Sequence, residues 1–237
     1  MIIDIEGTDG CGKKTQTDLL FDFLTNKGYK VKKISFPSYE SESSALVKMY
    51  LRGEFGENAN DVNAYQSSAL FAVDRFATMS KIRVEDYDYV LFDRYVPSNM
   101  IHQSTKIQDK KCLDEFLDWI EDFEYNKLKL PKPDKILFLD VPVEISIKLA
   151  RQRANLKNGE QKDIHEKDDD HLINAYNKAK YISNKFNWTT VDCVANNNIK
   201  TIDEIHKDIL TKLCLKWYNV PRKTEKEILW KLQEENY

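Results

Sequence analysis

Near its amino terminus the chain reads Gly7-Thr8-Asp9-Gly10-Cys11-Gly12-Lys13, directly after the apolar run Ile2 to Glu6 and directly before an amphipathic stretch. Glycines at these positions let successive backbone N–H groups point into one concavity, and a helix starting at Lys13 adds the positive potential of its amino end. Such a cradle suits phosphate, and Lys13 is set to reach the outer phosphates of a nucleoside triphosphate. The whole chain holds only 7 glycines, so their concentration in this loop marks a backbone that passes close to something. A tight strand-to-helix turn with a solvated lysine is the plainer alternative. Phosphate loops usually place Ser or Thr after the lysine to hold magnesium, whereas this chain has Lys14 and then Thr15. A helix turns about 100° per residue, so Thr15 substitutes only if the helix begins one residue later. Magnesium is therefore expected to rest on nucleotide phosphates, water and an acid such as Asp93. Lys14 either adds charge nearby or points to solvent.

The elements that must carry this loop are legible from periodicity. Ile2 to Glu6, Lys30 to Phe36, Tyr87 to Phe92, Lys135 to Asp140 and Trp188 to Asp192 read as strands. Two of them, Tyr89-Val90-Leu91-Phe92 and Ile136-Leu137-Phe138-Leu139, are continuously apolar, as parallel strands covered on both faces must be. Helical spacing occupies Lys13 to Lys27, with Gly28 where a helix usually ends, and Asn63 to Ile82, Asp109 to Asn126, Val143 to Arg153, Asp168 to Ser183 and Thr201 to Trp217. Strands alternating with long helices predict an α/β fold: an open, parallel five-stranded sheet with helices on both faces. Ligands in such sheets bind at the carboxyl ends of the strands.

Composition bounds the rest. The 36 basic and 39 acidic side chains leave a formal charge of −3, which argues against a protein that coats nucleic acid. No apolar stretch approaches 18 residues, so no membrane span is expected. The start Met1-Ile2-Ile3-Asp4-Ile5-Glu6 carries acids where a signal peptide needs basic residues, which predicts a cytoplasmic protein. Cys11, Cys112, Cys193 and Cys214 form no CxxC pair and read as free thiols. The polar stretch Asn155 to Asp170 reads as a surface loop.

Four ordered motifs give the chain a family likeness. Ile5-Glu6-Gly7-Thr8-Asp9-Gly10-Cys11-Gly12-Lys13-Lys14-Thr15-Gln16, Phe36-Pro37, Asp93-Arg94-Tyr95 and Leu130-Pro131-Lys132-Pro133-Asp134 together resemble the thymidylate kinases. The resemblance spans 1 to about 217 and implies a P-loop nucleoside monophosphate kinase domain with a lid at about 151–166, followed by a helical extension over 218–237. It implies transfer of the γ-phosphoryl of ATP, with Mg2+, to the phosphate of dTMP, giving dTDP in dTTP synthesis. Phosphoryl transfer needs mainly positive groups that cage two phosphates in line, and Lys13, Arg75, Arg94, Arg151 and Arg153 are candidates.

By the same resemblance, Gly7 to Thr15 bind ATP, Arg94 holds the acceptor phosphate, and Asp93 sits beside metal and phosphates. Asp9, repulsive toward phosphate, contacts the 3′-hydroxyl of the acceptor. Phe71 and Arg75 share one helix face four residues apart, where they match a ring-stacking aromatic and an arginine that meets a base carbonyl. Ser98 and Asn99 match a bacterial-type pair at the thymine edge, where an amide can both donate and accept; His102 and Gln103 lie toward the deoxyribose. The phosphate loop has Gly10 where some members carry a basic residue, so lid arginines Arg151 and Arg153 are expected to supply transition-state charge, making this the bacterial-like type. Where the family often has an arginine soon after Phe36-Pro37, this chain has Ser38-Tyr39, which leaves more of the acceptor phosphate to Arg94. A homodimer is implied. The alternatives are another P-loop kinase, such as a deoxynucleoside kinase, and a non-catalytic nucleotide-binding regulator.

Overall fold

A computed structural model describes residues 1–56, 61–156, 169–196 and 198–215, with backbone alone for 150–156 and 169. Five parallel strands form the sheet: β1 (Ile2–Glu6), β2 (Val31–Ser35), β3 (Tyr89–Asp93), β4 (Lys135–Asp140) and β5 (Thr189–Asp192). Their order is β2-β3-β1-β4-β5. The strand that leads into the phosphate loop is therefore central, flanked by β3 and β4.

Alternation along each strand builds two cores. Ile3, Ile5, Leu91, Leu137, Leu139 and Val191 pack on one face against α1 (Lys13–Asn26) and α8 (Ile202–Lys212). Val90, Phe92 and Phe138 pack on the other, with α3 (Ala64–Met79), α4 (Val96–Gln103), α5 (Lys110–Glu121) and α7 (Asp169–Lys185). Helices cover both faces, which is why β3 and β4 read as unbroken apolar runs. The register of β1 against β3 sets Ile5 opposite Asp93, so the loops that follow both strands open at the same carboxyl edge.

Local signals fix the helix ends. Asn63 and Gln66 form a reciprocal capping box on α3, and Thr201 and Glu204 do the same on α8. Gly28, at φ 87°, follows the last turn of α1 in the left-handed conformation that ends a helix. Helices α2 (Ala45–Leu51) and α4 are too short for a clear apolar period, and no sequence expectation covered them. A two-stranded hairpin, β6 (Val194–Ala195) with β7 (Asn198–Ile199), follows β5. The helix expected over Asp109 to Asn126 ends at Glu121 and continues as a π-helical turn, Asp122–Lys127. Helix α6 (Val143–Leu156) runs past Arg153 into the expected lid; the remainder of that lid from 157, and the expected extension over 218–237, lie outside the described residues.

Candidate active site

Gly12 caps α1 in the left-handed region with no side chain over the exposed N–H groups, which leaves the amino end of the helix open to an anion. Gly7 is required for close packing as well as conformation: a Cβ there would stand 2.6 Å from Cys11 Sγ and 3.0 Å from the Leu139 carbonyl oxygen. Lys13, the first helical residue, donates from Nζ to the Gly7 and Thr8 carbonyls at 2.8 Å each and lies 3.7 Å from Asp9. Helix α1 starts at Lys13, so it does not shift Thr15 into the usual hydroxyl position. Lys14 is 66% exposed and pairs with Asp18 one turn on, on the outer face of the helix.

Arg94 faces the loop from β3. Its Nη2 bonds Asp9 Oδ1, and its Nη1 lies 3.1 Å from His102 Nε2. A guanidinium can only donate, so His102 Nε2 accepts and the ring proton sits on Nδ1. Burial holds the His102 imidazole well below its ordinary pKa; Asp9 opposes this, while Arg94 and His171 reinforce it, so the ring is neutral. Burial also works to raise the Asp9 carboxyl, but Arg94 and Lys13 outweigh it and keep Asp9 ionised. Arg94 itself adopts φ 67°, unusual for a side chain of this size, at the turn that aims its guanidinium across the strand ends.

Glu6, the last residue of β1, is buried and accepts from the Tyr95 N–H at 2.9 Å and the Ser98 hydroxyl at 2.8 Å from both carboxyl oxygens. Burial raises its carboxyl, against the pull of Lys13 and Arg94. Ser98 thus bonds the protein's own carboxylate. Glu6 ties the start of α4 to the phosphate-loop strand, a role no sequence expectation gave it; an acid within an apolar strand was the available signal.

A second cluster lies along α3. Arg75 is buried and donates from Nε and Nη2 to the two oxygens of Glu124, each at 2.6 Å. Asn99 Nδ2 donates to the Ser68 carbonyl at 3.1 Å and to Glu124 Oε1 at 3.0 Å. Phe71, half-buried one turn before Arg75, meets the edge of Tyr50 at 6.0 Å. Asp74, buried between them, accepts from the Ser38 N–H at 2.8 Å and the Ser43 hydroxyl at 2.6 Å, fastening the segment after β2 to α3. That segment begins with the cis peptide Phe36-Pro37, where Phe36 packs on Phe92 and Tyr95. Gln103 is buried and accepts from the Ser67 hydroxyl at 2.7 Å. Glu124 had a sequence signal: it continues the apolar stripe Leu113, Phe116, Leu117, Ile120 with an acid.

Asp93 ends β3 half-buried, and its carbonyl accepts from the Phe36 N–H at 3.1 Å. Among the described residues no group of three or more His, Cys, Asp or Glu side chains could hold a metal ion. Asp93 offers a single carboxylate at this edge, the kind of ligand that a magnesium ion carried by nucleotide phosphates and water could take. Arg151 and Arg153 belong to α6, but their side chains lie outside the described residues. No described helix is long and apolar enough to cross a membrane.

Comparison with known proteins agrees with this architecture. The thymidylate kinase family profile matches residues 5–209. Thymidylate kinase of Mycobacterium tuberculosis is 33% identical over 171 residues, which cover 71% of this chain and 78% of that one. A probable thymidylate kinase of Methanococcus aeolicus is 30% identical over 213 residues, covering 89% and 94% of the two chains. The solved structure of Candida albicans thymidylate kinase superposes with a TM-score of 0.60 over 89% of each chain at 22% identity, a likeness of fold.

Proposed function

The chain belongs to the thymidylate kinase family and phosphorylates dTMP, and from that premise we propose which of its residues do so and with what donor. The donor is ATP with Mg2+, its phosphates cradled by the backbone of Gly7 to Thr15 and its outer phosphates met by Lys13. The acceptor is the phosphate of dTMP, held by Arg94. A phosphate monoester is largely dianionic at neutral pH, with a second pKa of about 6. Its oxygen is thus already a nucleophile and needs no general base. What remains is to bring two negative groups into line and neutralise the charge that spreads over the transferring phosphoryl.

The observation that carries this reading is the meeting of Arg94 with Asp9, which sets the acceptor arginine against the phosphate loop at the shared edge of β1 and β3. Lys13 and Arg94 bracket the space between the two phosphates. Asp9 orients Arg94 and offers its carboxylate to the 3′-hydroxyl of the acceptor. Asp93 stands where one carboxylate can meet the magnesium that neutralises the phosphates. Arg151 and Arg153 supply further positive charge, the bacterial-like arrangement expected when the loop carries Gly10 in place of a base.

Phe71 stacks on the thymine ring while Arg75 Nη1 and Asn99 read its edge, with His102 and Gln103 toward the sugar. His102, neutral and accepting from Arg94, steadies the guanidinium. Ser98 acts through Glu6, fixing the strand-to-helix turn that carries Arg94. A homodimer in the cytoplasm, free of nucleic acid and membrane, completes the assignment.

The test is ADP release from ATP and magnesium with dTMP, dUMP, dCMP, dGMP, AMP and thymidine as acceptors, in the parent chain and in Arg94→Ala. Strong preference for dTMP, lost together with acceptor affinity in Arg94→Ala, supports the site. Turnover of thymidine in preference to dTMP, or an Arg94→Ala variant with unchanged kinetics, refutes it.

A further inference from the structure

Arg75 and Asn99 come from different helices, yet one side chain holds both. Glu124 is fully buried, accepts both forks of Arg75 at 2.6 Å, and accepts from Asn99 Nδ2 at 3.0 Å. It stands in the π-helical turn Asp122–Lys127 that interrupts the continuation of α5, a feature frequent at functional sites. The consequence lies in which atoms Glu124 leaves over. With Nε and Nη2 occupied, Arg75 retains Nη1, a donor. With both amide hydrogens occupied, by the Ser68 carbonyl and by Glu124, Asn99 retains Oδ1, an acceptor. Neither atom has a partner among the described residues.

The two partners of Asn99 can only accept, so the amide cannot turn over without setting its oxygen against two others. The edge presented is therefore one donor beside one acceptor, in fixed order. Thymine and uracil offer C4=O beside N3–H, which matches that order; cytosine offers an amino group beside an unprotonated N3, which opposes it at both atoms. We propose that Glu124, which touches no part of the substrate, is the positioning residue that sets acceptor specificity for a 4-keto pyrimidine. This rests on the reading that Arg75 and Asn99 face the base.

Two substitutions test it in the full chain. Glu124→Gln keeps the shape but supplies one carbonyl where two carboxylate oxygens stood, and its NH2 can donate to a reversed Asn99, turning the Asn99 amide nitrogen toward the base. Glu124→Asp keeps the charge that compensates Arg75 but draws back by one methylene, releasing Asn99. With dTMP and dCMP as rival acceptors, Glu124→Gln is expected to raise the KM for dTMP roughly tenfold and to cut the dTMP-over-dCMP preference at least roughly tenfold, the size of one lost charged hydrogen bond. The KM for ATP stays unchanged. Glu124→Asp should move both quantities the same way by less. A residue that served only to keep the chain folded would lower yield and melting temperature without altering the preference between two acceptors.

If Glu124→Gln does not fold, Glu124→Asp decides, and unchanged preference in whichever variant folds overturns the proposal. Phe71→Ala separates the two levels. If it raises the dTMP KM while the Glu124 variants keep parental preference, the base pocket stands and the role of Glu124 falls. If Phe71→Ala leaves the dTMP KM unaltered, the pocket reading falls and Glu124's role with it.

Discussion

Arg94 combines two properties that one pair of substitutions separates. Its guanidinium bonds Asp9 and faces His102, and its backbone occupies the left-handed region at φ 67°. An L-residue in that conformation carries about 1–2 kcal/mol of steric cost that glycine avoids. Glycine in turn loses roughly 0.5–1 kcal/mol through the greater freedom of its unfolded chain. Arg94→Gly should therefore be more stable than Arg94→Ala by about 0.5–1 kcal/mol, although neither can donate from a side chain. Both leave Asp9 without its nearest cation and, with Arg94 proposed to hold the acceptor phosphate, remove that charged donor, so kcat/KM for dTMP should fall by roughly a hundred- to a thousandfold in each. Urea unfolding at pH 7 gives the stability difference, and steady-state ADP release gives the kinetic one. An alanine variant as stable as the glycine variant refutes the backbone cost. Activities that differ more than a few-fold between the two show that the conformation at position 94, rather than its guanidinium, limits the reaction.

Three further outcomes are expected. Asp4 is fully buried in β1 with neither carboxyl oxygen bonded, and burial, with Glu6 and Asp93 adding to it and Arg75 opposing, raises its pKa well above the usual value. The folded state then keeps a proton that the unfolded state loses above the ordinary value of 3.8, so the contribution of Asp4 is fully present below that pH and is lost as pH rises toward the folded value. Asp4→Asn should gain on the parent by up to about 1.4 kcal/mol for each pH unit in that window, read by urea unfolding at pH 5, 6 and 7, and a gap that does not grow with pH contradicts the burial argument. Asp74→Ala leaves the Ser38 N–H without its acceptor and the Ser43 hydroxyl with Ser41 alone, so it should destabilise the fold by about 1–3 kcal/mol and raise the KM for dTMP more than that for ATP; equal effects on the two substrates place the damage elsewhere. Lys14→Ala should leave kcat and the ATP KM within roughly twofold, because its ammonium pairs with Asp18 on the outer face of α1 and an exposed pair of this kind is worth little; a tenfold loss would return Lys14 to the nucleotide.

The phosphate loop, the parallel strands and the long helices were legible because each rests on a local period or on glycine's freedom. Ile2–Glu6 and Lys135–Asp140 appear at the bounds their apolar runs predict, and Gly28 ends α1 as its type requires. Helix α4 was not legible: eight residues starting after the irregular turn at Arg94 and Tyr95 are too few to display a period, and Glu6, distant in sequence, supplies the bonds that begin it.

The polar interior divides along the same line. Residue type alone marks Asp4, Glu6 and Glu124 as acids in apolar stripes, but not what each one meets. Arg75 pairs with Glu124 across 49 positions and Arg94 with Asp9 across 85, and no local period encodes either pairing. Sequence determined that a cradle suited to phosphate follows the first strand, since the chemistry of a glycine loop and a helix amino end lies within a few neighbouring residues, while the central place of that strand came only with the sheet order. Only the tertiary structure decided which donors and acceptors remain for a substrate once the protein has satisfied its own. A buried polar group must find a partner wherever the fold brings one, and the leftover atoms follow from distances that exist only after the sheet and helices have packed.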